Sequence, residues 1–260
     1  MCLIALQLHE HSLYKMVLVA NRDEAYTRPT ASACFWKDHP QVLAGRDLLQ
    51  MGTWLGITKE GRFAALTNSY DSAVSVPENP VSRGQIVSDY LTTTQSAPDF
   101  LSHLQDKHLD YAGFNLLLGD IDHLWHFNNH MNQTNFLKTG IHGLSNASLN
   151  DPWPKVLKVK SHLQQLHLKS IALDPNDLLT AFMDTSLLPG KDASFTDTTS
   201  LHLEQETPPI FIKTPEYGTV STTVLLVDHK NNVTFIERSY SREGITGEVN
   251  YSFKIPYKIP

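Results

Sequence analysis

Three pairs of apolar runs, each pair joined by a short polar segment, constrain the fold most strongly. The paired runs cover residues 3–8 with 16–20, 53–58 with 62–68, and 221–228 with 233–238. Two apolar runs separated by a few polar or glycine residues are typical of β-hairpins. Because most strands come as hairpins and do not alternate singly with helices, the sequence favours antiparallel sheets over a parallel one.

Helical patterns fall in two blocks between these hairpins. The first block covers residues 85–91 and 98–109. The second follows Asp151-Pro152 and Asp174-Pro175, where an acidic N-cap precedes a proline at the first helical position. The sequence therefore predicts an α+β fold: a four-layer αββα sandwich with two stacked antiparallel sheets flanked by helices. Residues 187–216 contain four prolines and predict a lid or long loop.

Length and composition bound the class of protein. The 260 residues show no break in composition, so a single domain spanning 1–260 is expected. A net charge of -6 without a basic block argues against a nucleic-acid partner. The two cysteines, Cys2 and Cys34, fit a reducing compartment. No apolar run reaches the ~18 residues of a spanning helix, so we expect a cytoplasmic protein that is not transmembrane.

The amino terminus carries the strongest candidate for chemistry. The first hairpin would return Asn21, Arg22 and Asp23 to the neighbourhood of Cys2, which follows Met1. Removal of Met1 would leave both a thiol and an α-amine on Cys2, and the amine can act as general base for the thiol. Arg22 would favour the thiolate and an oxyanion, and Asp23 would hold the ammonium group. The alternative is that Cys2 is a small buried hydrophobic side chain.

Two asparagines are candidates for stabilising an oxyanion. Asn68 and Asn146 each follow an apolar strand, where a side-chain amide can donate to developing negative charge or close a turn. The thirteen histidines match no known zinc spacing, and we predict no metal site among them. Haem needs only one axial histidine, so haem stays open as a bound ligand.

A series of short motifs runs through nearly the whole chain. These motifs are Met1-Cys2, Ala20-Asn21-Arg22-Asp23-Glu24, Arg28-Pro29, Gly52-Thr53-Trp54-Leu55-Gly56, Ala65-Leu66-Thr67-Asn68, Ser82-Arg83-Gly84, Gly113-Phe114-Asn115-Leu116, Gly143-Leu144-Ser145-Asn146, Pro152-Trp153 and Tyr217-Gly218-Thr219. In this order they resemble the NRDE family, the Transport and Golgi organization protein 2-like family, within the N-terminal-nucleophile hydrolase superfamily.

The resemblance implies the N-terminal-nucleophile hydrolase form of the αββα sandwich. It extends distantly to the choloylglycine hydrolase and penicillin acylase group, in which a cysteine behind the initiator methionine attacks an amide and Asn-x-Asp lies on the second strand. Cys2, Asn21 and Asp23 match that pattern. The resemblance also implies that Asn68 and Asn146 stabilise the tetrahedral intermediate.

Two positions depart from the patterns that the resemblance brings. Ala20 stands where the acylase group usually has arginine, and Val220 stands where many NRDE members have arginine. Arg22 is the nearest substitute for the first arginine, two residues further along the same strand. These two departures concern the identity of the ligand more than the fold.

The sequence leaves two main functions open. The first is an enzyme that cleaves an amide, a non-peptide C–N bond, or a thioester of a small apolar-tailed substrate through Cys2, without a cofactor. The alternative is a carrier of haem or acyl-CoA on the same fold, suggested by the histidines and by the family's association with haem trafficking and lipid metabolism. A scaffold with a decayed site, suggested by Ala20 and Val220, is a third reading.

Overall fold

Two large antiparallel sheets, one short strand pair and four α-helices dominate the part of the chain that the structure describes. The structure is a computed structural model, and it describes residues 2–70, 76–168, 172–189 and 206–257. In chain order the strands are β1 (Cys2–Leu8), β2 (Tyr14–Ala25), β3 (Thr30–Phe35), β4 (Val42–Asp47), β5 (Leu55–Thr58), β6 (Arg62–Asn68), β7 (Phe114–Asp120), β8 (Leu124–Asn128), β9 (Gln133–Phe136), β10 (Gly140–Leu144), β11 (Leu188–Pro189), β12 (Glu206–Thr207), β13 (Tyr217–Asp228), β14 (Asn232–Tyr240) and β15 (Ile245–Lys254). The helices are α1 (Arg83–Thr92), α2 (Ala97–Asp106), α3 (Pro154–Leu168) and α4 (Pro175–Ala181), and a 3-10 turn at His108–Asp110 follows α2.

The strands form two large sheets and one short pair. The six-stranded sheet has the order β10-β1-β2-β13-β14-β15, and the seven-stranded sheet runs in sequence order from β3 to β9. All neighbours are antiparallel, and the three predicted hairpins are confirmed as β1–β2, β5–β6 and β13–β14. The short pair, β11–β12, lies within the predicted lid. Residues 190–205 of that lid lie outside the described residues.

Three apolar cores divide the molecule into layers. The central core fills the space between the sheets, with Leu18 from β2 and Phe63 from β6 fully buried. A second core joins the outer face of the seven-stranded sheet to α1 and α2 through residues such as Val87. A third core joins the outer face of the six-stranded sheet to α3 and α4, through Val159 and Leu179. This arrangement confirms the predicted four-layer αββα sandwich.

The two predicted helix starts had different outcomes. Asp174 caps α4 as expected, because its carboxylate accepts a hydrogen bond from the Asn176 backbone amide at 2.8 Å. The start predicted at Asp151 was wrong, since α3 begins at Pro154. The Asp151 carboxylate instead accepts a hydrogen bond from the backbone amide of Ser148 at 3.1 Å, which closes the preceding turn.

No described helix has the length and apolar character that crossing a membrane requires.

Candidate active site

The first hairpin places Cys2 directly opposite Arg22 in the register of β1 and β2. Side chains of directly opposed residues in an antiparallel pair lie on the same face of the sheet. The Arg22 guanidinium carbon lies 4.3 Å from the centre of the Trp54 ring, and Nη1 donates to Thr30 Oγ1 at 2.9 Å. Because Thr30 and Trp54 belong to the opposite half of the sandwich, Arg22 reaches across from one sheet to the other and is held beside Cys2.

Asp23 approaches Cys2 through its main chain, and this contact acts to lower the pKa of the Cys2 thiol. Its carboxylate accepts a hydrogen bond from Thr219 Oγ1 at 2.6 Å. Its carbonyl oxygen accepts another from the Tyr217 hydroxyl at 2.9 Å. Strand β13 therefore fixes Asp23 at the end of β2 by two hydrogen bonds of the Tyr217-Gly218-Thr219 motif.

A cavity of about 290 Å³ opens at this end of the sandwich. That volume is at the lower limit of the ~300–1,000 Å³ usual for small-molecule sites, so the space suits a small ligand. Six of its lining residues are charged, and the wall is correspondingly polar. The lining residues are Cys2, Arg22, Asp23, Glu24, Arg28, Asp47, Gln50, Thr53, Trp54, Leu66, Asn68, Pro80, Val81, Ser82, Arg83, Gly84 and Ala112.

Four of the six predicted site residues therefore meet at one cavity: Cys2, Arg22, Asp23 and Asn68. They come from the start of β1, the end of β2 and the end of β6, three strand ends that the sandwich brings together.

Asn21 and Asn146 do not line the cavity. Asn21 Nδ2 donates to the carbonyl oxygens of Phe182 and Ile210, both at 2.9 Å, on the face of β2 that α4 covers. Asn146 is fully buried, and its Nδ2 donates to the Asn68 carbonyl oxygen at 3.0 Å. Both side chains hold backbone next to the site, and neither presents its amide to the cavity.

Burial raises the pKa of both ionisable groups at the centre of the site. For the Cys2 thiol, burial is the largest cause; the Asp23 carboxylate adds to the rise, while Arg22 opposes it. Burial also raises the pKa of the Asp23 carboxyl group, and its hydrogen bond from Thr219 acts in the opposite direction. The thiol thus sits in surroundings that favour the neutral form, so a nucleophilic Cys2 needs a base close at hand.

Sequence reasoning missed Arg83 and Thr219 as residues of the site. Arg83 lines the cavity at the start of α1, and its Nη1 donates to the Gly113 carbonyl oxygen at 2.9 Å. Both residues lie inside motifs that were noted only as family markers, Ser82-Arg83-Gly84 and Tyr217-Gly218-Thr219. Membership in those motifs was the signal that could have found them.

Close backbone packing sets the position of Arg83. A Cβ added to Gly52 would lie 2.5 Å from the carbonyl carbon of Gly84, so only glycine allows this approach. The Thr53 amide then donates to the Gly84 carbonyl oxygen at 3.1 Å. These contacts fix the first turn of α1 against the segment before β5.

The cavity wall contains no histidine from the described residues. His126 is fully buried elsewhere, with Nε2 3.0 Å from Asn115 Oδ1, and burial lowers its pKa to about 4. Within the described ranges, no group of three or more histidine, cysteine, aspartate or glutamate side chains is placed to hold a metal ion. The described histidines therefore do not line the cavity that contains Cys2.

Solved structures share this fold. A mutant conjugated bile acid hydrolase from Clostridium perfringens superposes with a TM-score of 0.52 at 11% identity, over 100% of this chain and 99% of that one. A second variant of the same enzyme gives a TM-score of 0.51. The fold is that of the N-terminal-nucleophile hydrolases, with a cysteine at position 2 at the cavity wall.

Sequence comparison identifies the family. The family model for Transport and Golgi organisation 2 matches residues 1–242. Transport and Golgi organization protein 2 homologs from Bos taurus and Homo sapiens are 34% and 32% identical, each over 87% of this chain and 87% of the relative. The Drosophila melanogaster protein is 27% identical over 91% of this chain. The chain belongs to the Transport and Golgi organisation 2 family.

Proposed function

We propose that this protein is a hydrolase that cleaves the amide or thioester bond of a small substrate through Cys2. The observation that carries the proposal is the shared cavity in which Cys2, Arg22, Asp23 and Asn68 meet. A nucleophile, a fixed cation, a carboxylate and an amide donor are the groups that acyl transfer requires. The hydrolase-like fold supports the same choice, although a fold alone does not define an activity.

The first half of the reaction forms an acyl-enzyme. Once Met1 is removed, the α-amine of Cys2 takes the thiol proton, and Sγ attacks the substrate carbonyl carbon. The carbonyl electrons move to oxygen, where the Asn68 amide and the Arg22 guanidinium stabilise the negative charge. The intermediate then collapses: the bond to the leaving nitrogen or sulfur breaks, and the ammonium group returns the proton to it.

The second half releases the product. A water molecule loses a proton to the α-amine and attacks the thioester carbonyl of the acyl-enzyme, and collapse releases a carboxylic acid and the Cys2 thiol. Asp23 holds the ammonium form in place between the two halves, and Thr219 orients Asp23. Asn21 and Asn146 serve the site indirectly, because they hold the backbone of neighbouring segments. Apart from the substrate and water, the proposed steps use groups of this chain.

Cys2→Ala tests the proposal directly. Purified protein is assayed against small acyl anilides and acyl thioesters, and intact mass spectrometry follows removal of Met1 and formation of an acyl adduct. We expect a burst of leaving group, an adduct on Cys2, and loss of both in Cys2→Ala. The matched control is Cys34→Ser, which removes the exposed second thiol. Turnover that survives in Cys2→Ala, or an adduct that forms only on Cys34, would rule the mechanism out.

A further inference from the structure

The three arginines of the cavity wall differ in how their charges are balanced. Arg28 Nε donates to Asp47 Oδ2 at 3.0 Å and lies 3.8 Å from Glu24 Oε2. Arg22 Nη2 lies 3.7 Å from the same Glu24 oxygen. The acids Glu24 and Asp47 are therefore engaged by Arg28 and Arg22.

Arg83 forms no ion pair among the residues that the structure describes. The hydrogen bond from its guanidinium goes to the neutral carbonyl oxygen of Gly113. Burial lowers the pKa of Arg83, while negative charge at Cys2 or Glu24 would act in the opposite direction. A guanidinium that is largely removed from water without a carboxylate partner costs folding free energy, and a bound anion would recover that cost.

The surroundings of Arg83 also favour an anion. Arg83 is the first residue of the ten-residue helix α1, and the Ser82 side chain makes no capping hydrogen bond. Ser82, Arg83 and Gly84 all line the cavity, so the positive end of α1 faces it. The helix terminus adds favourable potential to the guanidinium charge.

We propose that the substrate carries an anionic group, a carboxylate or a phosphate, which Arg83 binds in the cavity beside Cys2. The inference rests on the proposed function where it speaks of a substrate, and it adds the chemical class. Binding of the anion at Arg83 would fix the distance between the recognised group and the scissile carbonyl, since a cavity of about 290 Å³ leaves little freedom. Arg22, already stacked on Trp54, stays available for the reacting oxygen.

Two alkylating agents that differ in charge test the inference at Cys2 itself. Iodoacetate is anionic and iodoacetamide is neutral, and the rates of both with Cys2 are measured by intact mass in a Cys34→Ser background. In Arg83→Gln we expect the iodoacetate rate to fall roughly fivefold or more while the iodoacetamide rate changes less than about twofold, because one nearby charge is lost. Arg83→Lys should keep most of the preference for iodoacetate.

Arg62→Gln is the matched control. Arg62 also donates to a main-chain carbonyl oxygen, that of Tyr90 at 3.1 Å, and it lies outside the cavity lining. Its removal should leave the ratio of the two rates unchanged. Equal changes of both rates in Arg83→Gln, or the same change of ratio in Arg62→Gln, would overturn the inference.

A binding measurement separates this inference from the proposed function. Inorganic phosphate, succinate and neutral succinamide are titrated into Cys2→Ala protein by calorimetry, with and without Arg83→Gln. We expect at least one of the two anions to bind and succinamide not to bind. The anion that binds more tightly, phosphate or succinate, identifies the recognised group. Arg83→Gln should weaken the binding of that anion at least fivefold, roughly the effect of losing one charge. If Cys2 resists both alkylating agents, the hydrolase proposal fails while this titration still decides the anion site. Equal binding by both variants, or no binding of either anion, would refute the site.

Discussion

Glu237 on β14 is a buried carboxyl group whose protonation should control stability. It is 2% exposed, and its Oε1 accepts a hydrogen bond from the Ala33 backbone amide at 2.7 Å, across the gap between the sheets. Burial raises its pKa from 4.5 to about 7, although hydrogen bonds from Ala33 and Thr223 and the charge of Arg22 act in the opposite direction. Because the folded protein keeps this proton to higher pH than the unfolded chain, the free energy of unfolding falls as the pH rises from about 4.5 to about 7.

The Glu237→Gln variant removes this dependence while keeping the shape of the side chain. Each unit between folded and unfolded pKa values is worth ~1.4 kcal/mol, so the ionised form costs the folded protein about 3 kcal/mol at high pH. Glutamine still accepts from Ala33, and its amide can donate to the Thr223 hydroxyl. The measured quantity is the free energy of unfolding of Glu237→Gln minus that of the wild type. We expect this difference to be about 2 to 3 kcal/mol larger at about pH 8 than at about pH 5.

Urea unfolding followed by tryptophan fluorescence at the two pH values measures this difference. Other titrating groups, such as His126, occur in both proteins and cancel in the comparison. The control is Glu248→Gln, since Glu248 pairs with Arg238 at 2.7 Å on the exposed strand β15 and should change stability by less than about 1 kcal/mol at either pH. The reasoning fails if Glu237→Gln shifts stability equally at both pH values. It also fails if the variant is less stable at about pH 8, which would mean a stabilising ionised Glu237.

Two further substitutions test the packing that positions the site. Gly52→Ala should lose about 1–3 kcal/mol of stability, because the added Cβ would press on the Gly84 backbone, and it should also weaken the preference of Cys2 for iodoacetate. An added Cβ at Gly247 would have no atom within 4 Å, so Gly247→Ala should change neither stability nor that preference. Asn21→Ala should lower the free energy of unfolding in urea by about 2–4 kcal/mol, because it leaves two buried carbonyl oxygens without their hydrogen-bond donor. Asn250 is exposed, so Asn250→Ala should leave the free energy of unfolding nearly unchanged. A loss in either control as large as in its partner would contradict the packing argument.

The layers of the fold could be predicted from sequence because they depend on local signals. Short polar connections make antiparallel neighbours, and the first, second and last hairpins all formed as expected. The order of strands within a sheet depends on contacts between distant segments. Strand β13 pairs with β2, from Tyr217 opposite Ala25 to Asp228 opposite Tyr14, and no local pattern in either strand specifies that choice. Packing of their shared apolar faces decides it.

The site was predictable to the extent that the first hairpin determines it. A short connection between β1 and β2 is enough to bring Arg22 opposite Cys2. Alternation along β2 places Asn21 on the face opposite to Arg22, but it does not say what covers that face. The position of α4 depends on tertiary packing. The Asn21 amide donates a hydrogen bond to this helix layer, at the carbonyl oxygen of Phe182.

A main-chain acceptor, which carries no side-chain signature, explains why sequence reasoning missed the position of Arg83. The Gly113 carbonyl oxygen accepts from Arg83 Nη1 and from the Ser69 backbone amide, both at 2.9 Å, so one peptide group ties α1 to the end of β6. Any residue type offers that carbonyl, but a Cβ on Gly113 would lie 2.3 Å from the Ser69 carbonyl oxygen. Only glycine therefore permits the approach that places Arg83 at the cavity. The charge at this wall is set by a glycine thirty residues away, and a substitution at Gly113 should reduce anion recognition without touching a charged residue.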